Sequence, residues 1–200
     1  SDIGGVFGVF NTLYQCVGVL VGFAIGRLGL RRVMTAGFTV TAVGLLLVAR
    51  AETVFDCYVG YSLLGGIGVG FSTIVPAQTL GQNWFLRRRA FVIGVIFAFG
   101  GVVGWLVAPV DAWVLARYDW RMGWIGMAAL SGFLALLAGA FVRETPESVG
   151  QRRDGVEVGA PLGSRVVEQA VIADGWTAEQ AIRTPQFVLM LVCGIAYAMP

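Results

Sequence analysis

The sequence predicts an all-α integral membrane protein, and three observations support this fold class. Of its 200 residues, 57% are hydrophobic and only 13% are charged, whereas soluble domains carry about 25% charged residues. The apolar residues occur in long runs, as expected of helices that cross a bilayer. Clusters of arginine interrupt those runs, and one charged residue costs roughly 2.5–3.5 kcal/mol at the centre of a spanning helix. The clusters therefore mark where helices reach water.

Five apolar runs, separated by polar turns, predict spanning helices. We expect them at about residues 3–25, 33–48, 57–80, 90–113 and 122–142. Residues 143–184 are polar, with glycine, proline and mixed charges, and are expected to form a long loop. Residues 185–200 begin another apolar run that is too short to span. Because the chain also starts at Ser1, we expect it to be a piece of a longer membrane protein.

Polar residues within the runs are candidates for a polar pathway. Asn11 and Gln15 share one face of the first run, where they either bond to neighbouring helices or line a water-filled cavity. The third run carries the stronger candidates, which are Ser72, Thr73, Pro76 and Thr79. Pro76 is expected to kink this helix, since it removes one backbone hydrogen bond. A kinked helix with a packing role only is the alternative.

The run of glycines from Gly65 to Gly70 also lies in the third span. Its spacing is similar to that of a dinucleotide-binding loop, but no strand–turn–helix context or ribose-binding acid accompanies it. Small residues allow helices to approach closely in lipid. We therefore predict that these glycines pack against neighbouring helices.

Asp111 is the only acidic residue inside the fourth predicted span. At 1.5 Å per residue it lies about 32 Å beyond Ala90, near the far membrane surface. It is either a water-facing interfacial carboxylate or a candidate coupling acid for proton movement. Histidine is absent and the three cysteines lack metal-ligand spacing, so we predict no metal site and no cofactor.

The distribution of arginine predicts the orientation, because basic residues concentrate on the cytoplasmic side. All 14 basic residues are arginine. If successive spans alternate, one side receives only Arg50, Arg117 and Arg121, and the other receives all the remaining arginines. The loops at 26–32, 81–89 and 143–184 are therefore expected to be cytoplasmic.

The first cytoplasmic turn resembles the G-x-L-A-D-R-x-G-R-R motif of the major facilitator superfamily, whose fold has twelve helices in two halves. The matching positions are Gly22, Arg27, Gly29 and Arg31. Gly26 stands at the acid position and Leu30 at one basic position. The resemblance implies a contact at a cytoplasmic gate, with a cationic turn but without the acid of the family's charge relay.

A second motif resembles the signature that opens the fifth helix of monocarboxylate and oxalate/formate-type carriers. It consists of Trp84, Phe85, Arg87, Arg88, Arg89 and Gly94. The stretches 119–121, 143–150 and 176–187 are also similar to that branch. The resemblance implies that the chain holds helices two to six of an incomplete first half, a cytoplasmic inter-bundle loop at 143–184, and the start of helix seven. The third span would then be helix four, which lines the central cavity in the family.

The resemblance implies a secondary active transporter of small organic anions, working by alternating access as a symporter or antiporter in the plasma (inner) membrane. A carrier of drugs or sugars and a non-transporting sensor on the same fold are the alternatives. An enzyme is not expected, since no nucleophile–base pair or paired intramembrane carboxylates appear. The expected partners are an anionic substrate, the lipid bilayer and coupled protons, without nucleic acid; the sequence leaves the oligomeric state open.

Overall fold

The computed structural model describes residues 2–85 and 88–150, and helices dominate this part of the chain. Five helical stretches within it are long and apolar enough to cross a bilayer, namely Gly4–Leu28, Leu30–Ala49, Val54–Trp84, Arg89–Arg117 and Trp120–Phe141. The predicted all-α membrane architecture is thereby confirmed. The predictions for Arg87 and for residues 151–200 fall outside the described residues.

Four of the five stretches are single helices, and the third is divided into several segments. All helices are labelled in chain order. The helices are α1 (Asp2–Leu28), α2 (Leu30–Ala49), α3 (Val54–Cys57), α4 (Gly66–Ser72), α5 (Ile74–Trp84), α6 (Arg89–Arg117) and α7 (Trp120–Phe141). The segment Tyr58–Gly65, between α3 and α4, is π-helical. A short 3-10 helix, Pro146–Val149, follows α7.

The turn between α1 and α2 is a single residue, so the loop expected at 26–32 is wrong in its extent. Gly29 has a φ of +86°, a left-handed conformation that favours glycine. Its N–H donates to the carbonyl of Ile25 at 3.0 Å, which completes the last turn of α1. Arg27 therefore lies in the last turn of α1 and Arg31 in the first turn of α2. Likewise, α5 continues through Trp84, which shortens the turn expected at 81–89.

The third stretch begins at Val54 rather than near residue 57, because a capping box starts the helix. The Oγ1 of Thr53 accepts a hydrogen bond from the backbone N–H of Asp56 at 3.3 Å. In return, a carboxylate oxygen of Asp56 accepts the backbone N–H of Thr53 at 2.9 Å. These reciprocal bonds satisfy amide groups that a helix start otherwise leaves unpaired.

The third stretch is broken at Thr73, and the kink expected at Pro76 is thus displaced by three residues. Thr73 has φ −108° and ψ −101°, outside the helical region, and it separates α4 from α5. Proline lacks an N–H and its ring clashes with the carbonyl four residues earlier, here that of Ser72. The turn before Pro76 therefore opens, while α5 continues regularly beyond it.

Glycines bring the backbones of α2 and the third stretch into direct contact. A Cβ atom on Gly37 would lie 2.8 Å from the backbone nitrogen of Ser72 and 2.9 Å from the carbonyl oxygen of Gly68. A Cβ atom on Gly60 would lie 2.8 Å from the carbonyl oxygen of Gly44. Any side chain at these positions would force the two helices apart, so glycine is required for their close approach.

The glycines after the π-helical segment also contact α1, and the packing role predicted for the run from Gly65 to Gly70 is confirmed. A Cβ atom on Gly66 would lie 3.2 Å from the carbonyl oxygen of Phe10, and one on Gly70 would lie 3.0 Å from a methyl carbon of Val17. Val17, Val21 and Val33 form the buried core beside them. A hydrogen bond of 2.6 Å from the Ser62 hydroxyl to the carbonyl of Val6 joins the π-helical segment to α1 as well.

α7 packs against α2, whereas α6 is largely uncovered by the described residues. The buried residues of α7 are Ala128, Ala135 and Ala138, whose small side chains allow the two helices to approach. No residue of α6 is buried within the described part of the chain. Cβ atoms added to Gly94, Gly100, Gly101 or Gly104 would meet no atom there within 4 Å. A packing role for these glycines stays a prediction.

Substituting Gly68 tests the contact between α2 and the third stretch. In Gly68→Ala the new methyl group would lie 2.6 Å from the backbone nitrogen of Thr41 and 2.9 Å from the carbonyl oxygen of Gly37. Because backbone atoms cannot rotate away, we expect a loss of about 1–3 kcal/mol in the free energy of unfolding, measured in detergent micelles.

Gly101→Ala is the matched control, since its new methyl group meets no described atom and alanine has the higher helix propensity. It should leave the stability unchanged or raise it slightly. Equal destabilisation by both substitutions would contradict the role of Gly68 in backbone contact.

Candidate functional site

The two amides predicted on α1, Asn11 and Gln15, are both exposed on the surface of the described bundle. The side-chain amide of Asn11 donates to the carbonyl of Phe7 at 3.2 Å, within its own helix. No hydrogen bond joins Gln15 to another residue of the described ranges. Gly22 lies on the same helical face, and a Cβ atom there would meet no described atom within 4 Å. Neither amide therefore forms a hydrogen bond to another of the described helices.

Two candidates of the third stretch, Ser72 and Pro76, are buried in the packing. Ser72 is 3% exposed, and its hydroxyl donates to the carbonyl of Gly68 at 2.9 Å. Its backbone nitrogen lies against Gly37 of α2. Pro76 is fully buried two residues after α5 begins. In this conformation both residues set the geometry of the helix break.

The other two candidates, Thr73 and Thr79, are only partly covered. The hydroxyl of Thr73 donates to the carbonyl of Val69 at 2.8 Å, and that of Thr79 donates to the carbonyl of Val75 at 2.9 Å. Each hydroxyl oxygen keeps its lone pairs for accepting further bonds. Rotation about the C–O bond would aim the hydrogen outward, where it could donate to a carboxylate. In the structure each hydroxyl bonds to its own helix, and donation to a ligand would require this bond to be exchanged.

The residues after α7 contact the end of α5 and the turn between α1 and α2. The side-chain amide of Asn83 donates to the carbonyl of Glu144 at 3.1 Å. The indole N–H of Trp84 donates to the carbonyl of Arg143 at 3.0 Å. The carboxylate of Glu144 lies against Gly29, since a Cβ atom on that glycine would be 3.1 Å from the carboxylate carbon. We call this group of five residues the end clamp.

Glu144 places a carboxylate beside the N-terminus of α2. Gly29 is the N-cap residue of α2 and offers no side chain, and the first turn of this helix contains no acid. The Glu144 carboxylate occupies the space into which a capping side chain at position 29 would extend. Negative charge at a helix N-terminus is stabilising by about 0.3–1 kcal/mol. Sequence reasoning missed Glu144, although it lies inside the 143–150 pattern.

The predicted gate residues Arg27 and Arg31 flank this clamp. Both side chains are exposed, and neither makes a hydrogen bond or ion pair with another residue in the described ranges. The one-residue turn at Gly29 brings both onto one end of the bundle. They form a cationic rim beside the end clamp.

The structure brings together only some residues of the carrier-type signature that precedes and opens α6. Trp84 and Phe85 line an apolar cavity of about 300 Å³ between α5, α6 and α7. Arg88 is the N-cap of α6, Arg89 is its first residue, and both are exposed. The lining of the cavity also includes Leu80, Val92, Ile96 and Phe141. The aromatic half of the signature therefore packs the helix ends, while the basic half begins α6.

Asp111 lies six residues before the end of α6, because the helix continues to Arg117 rather than ending near residue 113. Its half-buried side chain lines a cavity of about 190 Å³ with Trp120 and Trp124 of α7. Trp113 contacts Tyr118 and the guanidinium of Arg117 at the same end of the bundle. Tryptophan and tyrosine favour the membrane interface. The role of Asp111 as a coupling acid stays a prediction.

Replacing Trp84 tests the end clamp. Trp84→Phe keeps an aromatic ring in the cavity but removes the N–H that donates to Arg143. We expect a loss of about 0.5–1.5 kcal/mol in the free energy of unfolding. Amide hydrogen exchange should also accelerate at residues 143–145. The control is Trp105→Phe, at a side chain that is 77% exposed. The clamp would be refuted by unchanged exchange after α7 in Trp84→Phe.

Comparison with known proteins agrees with this architecture. Residues 1–200 match the profile of the Major Facilitator Superfamily. Monocarboxylate transporter 2 of Mus musculus is 22% identical over 192 residues, which is 96% of this chain and 38% of that protein. Monocarboxylate transporter 13 of Bos taurus is 32% identical over 130 residues, 64% of this chain and 30% of that protein.

Monocarboxylate transporter 1 of Mus musculus is also similar, with 26% identity over 152 residues, 74% of this chain and 30% of that protein. The chain thus spans about a third of the length of the curated relatives it matches. The family and the monocarboxylate-type branch predicted from the sequence are confirmed. With five helices that can span a bilayer, the chain is multi-pass and belongs to the Major Facilitator Superfamily.

Proposed function

We propose that this chain belongs to a secondary active transporter that carries small organic anions of the monocarboxylate class. The observation that carries the proposal is the match to the superfamily over residues 1–200, with relatives named monocarboxylate transporters. The superfamily consists of membrane transporters, which argues against an enzyme. We place the protein in the plasma (inner) membrane, with the arginine-rich ends of its helices in the cytoplasm.

The substrate pathway runs along the polar side chains of α1 and α5, two helices that contact each other. Asn11 and Gln15 would donate amide hydrogens, and Thr73 and Thr79 would donate hydroxyl hydrogens after rotation. Hydrogen bonds from several neutral donors favour the ionised form of a carboxylate. The half-exposed position of both threonines supports this assignment. Ser72 and Pro76 would act indirectly, by fixing the break from which α5 begins.

Transport would proceed by alternating access, in which two helical bundles rock around a site near the middle of the membrane. The cationic rim at Arg27 and Arg31 would contact the other bundle in one of the two states. The end clamp supports this proposal, because it holds the α1–α2 turn, the end of α5 and the segment after α7 together. These helix ends would then move as a unit. Asp111 is the proposed coupling acid.

Uptake into liposomes tests the proposed function. The full-length protein should take up labelled lactate, pyruvate, formate or oxalate with saturable kinetics, and an inward proton gradient should accelerate uptake if protons are co-transported. Asp111→Asn should abolish that acceleration. Saturable binding of these anions without uptake would instead identify a sensor. The absence of both binding and uptake by folded protein would overturn the substrate class.

Thr79→Val tests the pathway within the same assay. Valine keeps the shape of threonine but removes the donor, and the loss of one hydrogen bond of about 1 kcal/mol corresponds to about a fivefold loss in uptake efficiency. Thr39→Val is the control, since Thr39 has the same bond to its own helix but lies in the groove between α2 and α7, outside the proposed pathway. A similar decrease in both variants would contradict the pathway.

A further inference from the structure

A groove between α2 and α7 begins at the arginine-rich end of the bundle. It encloses about 740 Å³ and opens to the surface. α7 contributes Gly139, and α2 contributes Arg31, Arg32, Thr35, Ala36, Thr39 and Val40. None of these residues belongs to the proposed pathway, although Arg31 is also part of the cationic rim.

The two arginines at the head of the groove are placed against the preference of their own helix. Arg31 and Arg32 lie in the first turn of α2, where the helix dipole disfavours positive charge. Both side chains are exposed, and within the described ranges neither guanidinium is paired with an acid. Adjacent guanidinium groups match the geometry of phosphate oxygens, to which arginine donates two parallel hydrogen bonds. The Glu144 carboxylate of the end clamp lies at the same helix end, against Gly29, but no ion pair joins it to Arg31 or Arg32. Both guanidinium groups are thus available to an external anion.

The body of the groove is neutral. The hydroxyl of Thr35 donates to the carbonyl of Arg31 at 2.9 Å, and the hydroxyl of Thr39 donates to the carbonyl of Thr35 at 2.8 Å. With both hydrogens engaged, the groove presents mainly methyl groups and small residues. A Cβ atom on Gly139 would be in ordinary contact with Thr35, at 3.6–3.7 Å, so the glycine leaves the groove open between the helices. Two cationic side chains at the end of a narrow, uncharged groove match the charged headgroup and the acyl chain of an anionic phospholipid.

We propose that this groove binds one anionic phospholipid of the cytoplasmic leaflet. Arg31 and Arg32 hold the phosphate, and an acyl chain lies along Thr35, Thr39 and Gly139. Basic pockets between spanning helices on the cytoplasmic side are suited to anionic headgroups. The inference rests on the orientation given under the proposed function, and it does not depend on the identity of the transported substrate.

Native mass spectrometry of the full-length protein tests the proposal by counting bound lipid molecules. The protein is released from detergent micelles that contain phosphatidylglycerol or phosphatidylcholine of the same chain length. We expect one phosphatidylglycerol to bind more tightly than phosphatidylcholine. The double variant Arg31→Gln/Arg32→Gln should bind it about 25-fold more weakly, since each basic residue contributes about a fivefold factor.

Two further variants separate charge from shape. Arg50→Gln/Arg117→Gln removes the same charge at the other end of the bundle and should leave the affinity for phosphatidylglycerol unchanged. Gly139→Leu keeps both arginines but fills the groove, and should also weaken binding. Glycerol phosphate, which has the headgroup chemistry but no acyl chain, should fail to compete.

The proposal is overturned if phosphatidylcholine binds equally well, if Arg31→Gln/Arg32→Gln retains wild-type affinity, or if Gly139→Leu has no effect. Competition by glycerol phosphate would also overturn it, in favour of a site for soluble phosphate. Because lipid binding is measured without substrate or flux, these results are independent of the uptake assay.

Discussion

The structure depends on the direct backbone contact between α2 and the third stretch, at Gly37 with Gly68 and at Gly44 with Gly60. In a bilayer the hydrophobic effect does not drive helices together, so close packing must replace it. Glycine provides that packing because its backbone is accessible. α1 then packs on the third stretch and α7 on α2, so both outer helices depend on this central pair. Only α6 stands outside it, with no buried residue in the described part of the chain.

The parts of the third stretch before and after Thr73 differ in structure and in contacts. Its first part is π-helical and glycine-rich, and it is held between α1 and α2 by backbone contacts. Its second part, α5, begins anew after the break; the hydroxyls of Thr73 at the break and Thr79 in α5 bond only to their own stretch among the described residues. The far end of α5 is tied to the segment after α7 by Asn83 and Trp84. A closely packed, glycine-rich half thus precedes a half that carries the candidate pathway residue Thr79.

The sequence predicted the helices and a kink near Pro76, but not where the third stretch breaks or how the helix ends join. Apolar runs and arginine clusters predicted the five helical stretches that are long and apolar enough to cross a bilayer, although with different ends. The turn before Pro76 opens at Thr73, next to Ser72, whose backbone packs against Gly37 of α2; such a contact between helices leaves no local sequence pattern. The end clamp joins residues about sixty positions apart, so no local pattern signals it. The roles of Asn11, Gln15, Thr73, Thr79 and Asp111 stay predictions.

The central claim is that the polar half of the third stretch faces an aqueous pathway, and thiol labelling measures this most directly. Cys16, Cys57 and Cys193 are first replaced by serine in the full-length protein. Thr79→Cys and, as a lipid-facing control, Leu136→Cys are then treated in liposomes with a membrane-impermeant thiol reagent; Leu136 is 73% exposed on α7. The account predicts labelling of Thr79→Cys that a monocarboxylate slows, and no labelling of Leu136→Cys. Protection of Thr79→Cys from the reagent in every condition would contradict it.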